Sequence, residues 1–100
     1  MEEQKPQEEQ KPQEKQQIPQ PNFNMFVSSL SMQALIFLGE IENPMTHQTE
    51  KNMDQAKYIV DTIAMLKDKT KGNLDAQEVN VIDNVLYELR MKYTAQTGKI

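Results

Sequence analysis

The longest apolar stretch of the chain covers residues 23–41 and contains no charged residue before Glu40. Apolar residues recur within it at steps of three and four, which predicts a helix with one buried stripe. The predicted stripe contains Phe23, Phe26 or Val27, Leu30, Ala34, Phe37 or Leu38, and Ile41. The apolar residues that lie off the stripe are Met25, Met32, Leu35 and Ile36. This helix, expected over residues 24–39, is apolar around much of its circumference and should be buried on more than one side.

Local signals mark both ends of this first helix. Asn22 or Asn24 can cap its start. Gly39 can adopt the positive φ that commonly ends a helix. A polar connector follows over residues 42–52, in which Pro44 prevents the helix from continuing.

Two more helices are expected over residues 53–70 and 76–94, where apolar residues again follow helical spacing. Between them, Gly72 can take the left-handed position after a helix end, and Asp75 with Glu78 forms a capping-box pattern. Because the connection is only about two to four residues long, the two helices should pack as an antiparallel hairpin. The sequence thus predicts an all-α fold, a small three-helix domain over residues 23–96 made of the apolar first helix and this hairpin.

The first 22 residues differ from the rest in composition. The segment EEQKPQ occurs at residues 2–7 and again at 8–13, four prolines interrupt any regular structure, and Ile18 is the one apolar side chain after Met1. Ordering such a segment would not recover its entropy cost, so a disordered Gln/Glu/Pro-rich tail is expected. It can serve as a docking strip for a partner or as a solubilising tail, and its composition favours the second.

Charge and composition narrow the classes of function. The chain of 100 residues has a net charge of −4, which disfavours a surface that tracks nucleic-acid phosphates. It contains no cysteine, so disulfides, a thiolate nucleophile and Cys-based zinc sites are excluded. The N-terminus lacks the apolar run of a secretory signal, and a cytoplasmic protein is expected. A folded part of about 78 residues has a small core, so self-association would help to stabilise it.

Residues able to carry chemistry are few. His47 is the only histidine and lies in the polar connector, where a solvated side chain is expected rather than a ligand or a base. Asp54, Asp61 and Asp68 recur every seven residues and therefore share a helix face. We interpret them as a solvent-exposed acidic stripe rather than as a row of carboxylate metal ligands. Arg90, on a largely apolar helix, can pair with Glu40, Glu42 or Asp61 across the bundle. We therefore expect neither an enzyme nor a metal, a cofactor or a small-molecule substrate.

A membrane role is the alternative for the first helix. Its uncharged apolar part, from Met25 to Leu38, has 14 residues, whereas a helix that crosses hydrocarbon needs about 20. Peripheral attachment by this helix remains open, although its polar face lacks the Lys and Arg usual in such helices.

Three stretches of the chain, taken together, resemble a bacterial family known as domain of unknown function 1844. They are LGEIENP at 38–44, LKDKTKGNL at 66–74 and LYELRMKY at 86–93. The resemblance covers residues 23–94 and implies a small helical bacterial protein with no established reaction, so it transfers no catalytic residue. The loop at 45–48 departs from the glycine-containing loop of the family.

The function that these observations favour is an interaction module. We expect a non-enzymatic helical protein that self-associates into a homo-oligomer or docks onto another protein through its first helix. The residues expected to make this contact are Met25, Leu30, Met32, Ile36 and Phe37.

Overall fold

In the computed structural model, residues 18–98 are described, and they form three α-helices. The helices are α1 (Phe23–Phe37), α2 (Met53–Lys69) and α3 (Ala76–Thr97). Within residues 18–98 the extended pairing is a single isolated bridge between Asn43 and Gln48, so the predicted all-α class is confirmed. Most of the tail expected to be disordered lies outside the described residues.

Helix α1 is capped at both ends by residues of its own sequence. The Asn22 side chain accepts a hydrogen bond from the Met25 amide at 3.0 Å. At the other end Gly39 has φ +78°, its N–H donates to Ile36 O at 3.0 Å, and the Glu40 N–H donates to Leu35 O at 2.9 Å. These two bonds form a Schellman motif. The helix therefore ends at Phe37, two residues before the expected end.

The connection between α1 and α2 is compact and sets these helices antiparallel. The Asn43 N–H donates to Gln48 O at 2.9 Å, and the tip of the turn places His47 at φ +59°. The Asn52 N–H then donates to Phe37 O at 2.8 Å. This bond joins the start of α2 to the end of α1.

The turn between α2 and α3 follows the capping signals of the sequence. The Glu78 N–H donates to Asp75 Oδ1 at 2.8 Å, and Glu78 Oε1 accepts from the Asp75 N–H at 3.0 Å, so the capping box is formed. Gly72, at φ +88°, lies two residues after the C-cap Thr70 rather than one, so its expected position was wrong by one residue. The turn reverses the chain, so α2 and α3 form the antiparallel hairpin.

The core lies at the centre of the three helices, each of which packs against the other two. Its buried residues are Val27, Ala34, Leu38, Ala56, Ile59, Val60, Ile63, Ile82, Leu86 and Leu89. Of the two sequence alternatives near the start of α1, Val27 is buried and Phe26 is exposed.

A long-range hydrogen bond closes the end of the bundle that carries the end of α1. Gln96 Nε2 donates to Leu38 O at 2.6 Å, which satisfies a carbonyl that the end of α1 leaves without a helical partner. Helix α3 continues to Thr97, three residues past its expected end, and Gly98 terminates it at φ +78°.

Candidate interaction surface

The side of α1 that faces away from the core forms an apolar surface, which we call the outer face. It consists of Met25, Ser29, Met32 and Ile36, which follow one another at steps of four, three and four residues. Met25 is 57% exposed and Met32 is 52% exposed, whereas Ile36 is half-buried. Phe26, 51% exposed, lies at the edge of this surface.

The outer face offers almost no polar chemistry. Helix α1 contains no charged residue at all. The hydroxyl of Ser29 donates to Phe26 O at 2.8 Å, so its proton is already used within the helix. A surface of this kind stabilises a contact by removing apolar area from water rather than by pairing charges. In the part of the chain that the structure describes, no helix is both long enough and apolar enough to cross a membrane.

The five residues expected to make the contact do not all lie on this surface. Met25, Met32 and Ile36 do, whereas Leu30 and Phe37 are half-buried and pack against the core. The prediction did not include Phe26, because it left Phe26 and Val27 as alternatives on the buried stripe. The seven-residue step from Val27 to Ala34 was the available signal, since it places both on the same side of a helix.

A concave region, separate from the outer face, runs between α2 and α3. Two adjoining cavities, of about 450 Å³ and 690 Å³, share Lys67, Asp83, Leu86 and Arg90 among their lining residues. Leu86 is buried and forms part of the floor. Lys67 Nζ lies 2.8 Å from Asp83 Oδ1 and links the two helices. The walls of this groove therefore carry mixed charge above an apolar floor.

The ion pairs considered for Arg90 are not formed among the described residues. Within residues 18–98, Arg90 is exposed and has no acidic partner. Glu40 lies 3.5 Å from Lys92, and Asp61 lies 2.7 Å from Lys57. Lys92 and Lys57 therefore pair with two of the three acidic residues considered for Arg90.

The titratable groups of α2 and the connector lie in solvent. Asp54, Asp61, Asp68 and His47 are all exposed. The hydrogen bond from Lys57 to Asp61, one turn away on the same helix, raises the pKa of the lysine. Among the described residues, no group of three or more His, Asp or Glu is arranged to hold a metal ion.

The fold and this surface together define a small antiparallel three-helix bundle that exposes the apolar outer face of its first helix. Residues 20–95 match the sequence model of a family described as Domain of unknown function (DUF1844). The chain belongs to this family, which confirms the resemblance seen in its motifs. Neither the curated proteins nor the solved structures gave a match.

Proposed function

We propose that this protein is a non-enzymatic interaction module of the bacterial cytoplasm, whose docking surface is the outer face of α1. The observation that carries the proposal is the exposure of Met25 and Met32 by more than half on a helix without charge. The partner is a second copy of the chain or another protein.

The energetics of burial support this role. Fully burying a methionine or phenylalanine side chain contributes about 1.5–3 kcal/mol, and about half of this remains available at Met25, Phe26 and Met32. Methionine is also unbranched and polarizable, so it adapts to the contour of different partners. The outer face thus has both a driving force for contact and tolerance in its geometry.

The surface of α2 provides a comparison within the same molecule. Tyr58 is 68% exposed and Met65 is 48% exposed, but three exposed aspartates lie on the same helix. Charged neighbours oppose the removal of water from a contact, because they lose hydration without gaining a partner. We therefore assign the docking role to α1 and use α2 as the matched control.

The first test compares the mass of the full chain at rising concentration by analytical ultracentrifugation. We expect the wild type and Tyr58→Ser/Met65→Ser to associate above the 11.6 kDa monomer, and Met25→Ser/Met32→Ser to remain monomeric. Loss of association in both double variants would contradict a specific role of α1.

A second test covers a partner other than the chain itself. A photo-crosslinking residue placed at position 32 in cells should give a discrete adduct, and the same residue at position 65 should not. Equal adducts at both positions, or none at position 32 together with a monomeric wild type, would contradict the proposal.

Flotation with neutral and anionic liposomes distinguishes protein docking from the alternative, peripheral membrane attachment by α1. Under the proposal the protein stays with the unbound fraction on both. Flotation that Met25→Ser/Met32→Ser abolishes would instead assign the outer face to a lipid surface.

A further inference from the structure

We infer that the occupant of the outer face is a second copy of the same face, with the two α1 helices crossing antiparallel. The inference rests on the proposed function, because it names the partner of that same surface. Three observations carry it: the spacing of the outer face, its charge, and the ends of α1.

The spacing of the outer face is that of a coiled-coil seam. Met25, Ser29, Met32 and Ile36 occupy successive d, a, d and a positions of a heptad pattern. In an antiparallel crossing centred between Leu30 and Ser31, Met25 lies opposite Ile36 of the second copy. Ser29 then lies opposite Met32 of the second copy. Each small or branched residue thus faces a long methionine, so the surface is complementary to itself.

Charge favours a copy of this chain over a charged partner. The chain has a net charge of −4, yet α1 contributes none of it. Two copies can therefore meet at this face without bringing like charges together at the contact. An acidic or basic partner would find no opposite charge there and would lose hydration on docking.

The ends of α1 select the antiparallel orientation. No acidic residue lies in its first turn and no basic residue lies in its last turn, so no charged side chain of the helix compensates its dipole. An antiparallel neighbour brings the negative end of one helix beside the positive end of the other. A parallel neighbour would place like ends together.

The exposed area sets the strength of this contact. Met25, Phe26 and Met32 each leave about 100 Å² exposed, so two copies bring together about 600 Å² before the flanking residues are counted. This is below the roughly 1,200 Å² at which standard specific interfaces begin. The dimer is accordingly weak, with a dissociation constant of about micromolar or above.

The absence of cysteine allows a direct test of the register, because each introduced thiol is the only one in its chain. Full-length Ser29→Cys and Met32→Cys are oxidised separately and as a mixture, and disulfide-linked dimer is measured. We expect the mixture to give about five-fold more dimer than either variant alone, since only opposed positions come within bonding distance.

Two further combinations serve as controls. Met25→Cys mixed with Ile36→Cys should also crosslink, whereas Met25→Cys mixed with Met32→Cys should not, because these positions are offset by four residues, or about 6 Å, in this register. Gln77→Cys, exposed on α3, reports random collision.

The outcomes separate this inference from the proposal on which it rests. Efficient crosslinking of Ser29→Cys with itself would show a parallel crossing, and yields at the Gln77→Cys level would show no α1 contact between copies. Either result overturns the inference. A parallel crossing still uses the outer face, so the proposed function survives it. If copies make no α1 contact, the proposed function survives only if position 32 still gives its discrete photo-adduct, and it falls with the inference if the wild type is monomeric and no adduct forms.

Discussion

At the scale of single residues, His47 shows how the fold imposes a left-handed backbone conformation on a residue that carries a Cβ. Its φ of +59° lies in the left-handed region, where a Cβ is disfavoured and glycine is not. The turn needs this conformation because the chain must fold back to pair Asn43 with Gln48. The polar connector was predicted, but the position of its left-handed residue was not.

Replacing His47 by glycine should stabilise the protein. Relief of the left-handed conformation is worth about 1–2 kcal/mol, and the extra freedom of glycine in the unfolded chain removes about 0.5–1 kcal/mol of that gain. We expect His47→Gly to raise the free energy of unfolding by about 0.5–1 kcal/mol in urea titrations. His47→Ala keeps the Cβ and should give no gain, and a Gly variant less stable than the Ala variant would contradict this account.

Residue-scale packing also decided which side chains α1 exposes. Phe26 and Val27 are neighbours with similar hydrophobicity, and the sequence left both on the buried stripe. In the structure Val27 and Ala34 are fully buried on one side of α1, and Phe26 is left 51% exposed. The orientation of α1 that buries Val27 also places Leu30 and Phe37 against the core rather than on the outer face.

At the scale of elements, the ends of the helices follow from short sequence patterns. Asn22, Asn52 and Asp75 each accept a hydrogen bond from the amide three residues later. These contacts join neighbours in sequence, so they form wherever the helix begins and do not depend on tertiary packing. They explain why the order and approximate limits of the helices can be read from the chain.

Removing the cap of α3 should weaken the bundle measurably. Asp75→Ala eliminates both the side-chain acceptor for Glu78 N–H and the acidic group at the helix start, so we expect a loss of about 0.5–2 kcal/mol in unfolding free energy. The measurement is urea denaturation followed by circular dichroism. Asp68→Ala, an exposed acid near the end of α2, should show no loss. Equal losses in the two variants would mean that net charge, rather than capping, is responsible.

At the scale of the whole molecule, stability depends on a small core shared by three helices. A domain of this size has only a few kcal/mol to spare, so the loss of one fully buried side chain is a large fraction of the total. Ile63 is fully buried at the middle of α2, while Met65, two residues later, is 48% exposed.

We expect Ile63→Ala to unfold much of the protein at 25 °C, because such a truncation costs about 2–5 kcal/mol. Met65→Ala should change the unfolding free energy by less than about 0.5 kcal/mol. Thermal melts of both variants, recorded at a single low protein concentration, provide the measurement. A stable Ile63→Ala variant would show that the core is held by contacts other than those at the centre of α2.

The sequence by itself determined the all-α class, the helix caps, the hairpin turn, the family and the charge-free character of α1. The class, the caps and the turn depend on periodicity and on hydrogen bonds between residues three to five apart, which neighbouring residues specify directly. The family and the absence of charge in α1 are properties of the amino-acid sequence itself. Only the tertiary structure decided which side of α1 faces the core, the pairing of Glu40 with Lys92, and the bond from Gln96 to Leu38. That bond joins residues 58 apart, and its formation depends on how the helices cross. Helix crossing follows from the fit of whole side-chain surfaces, which no local pattern encodes.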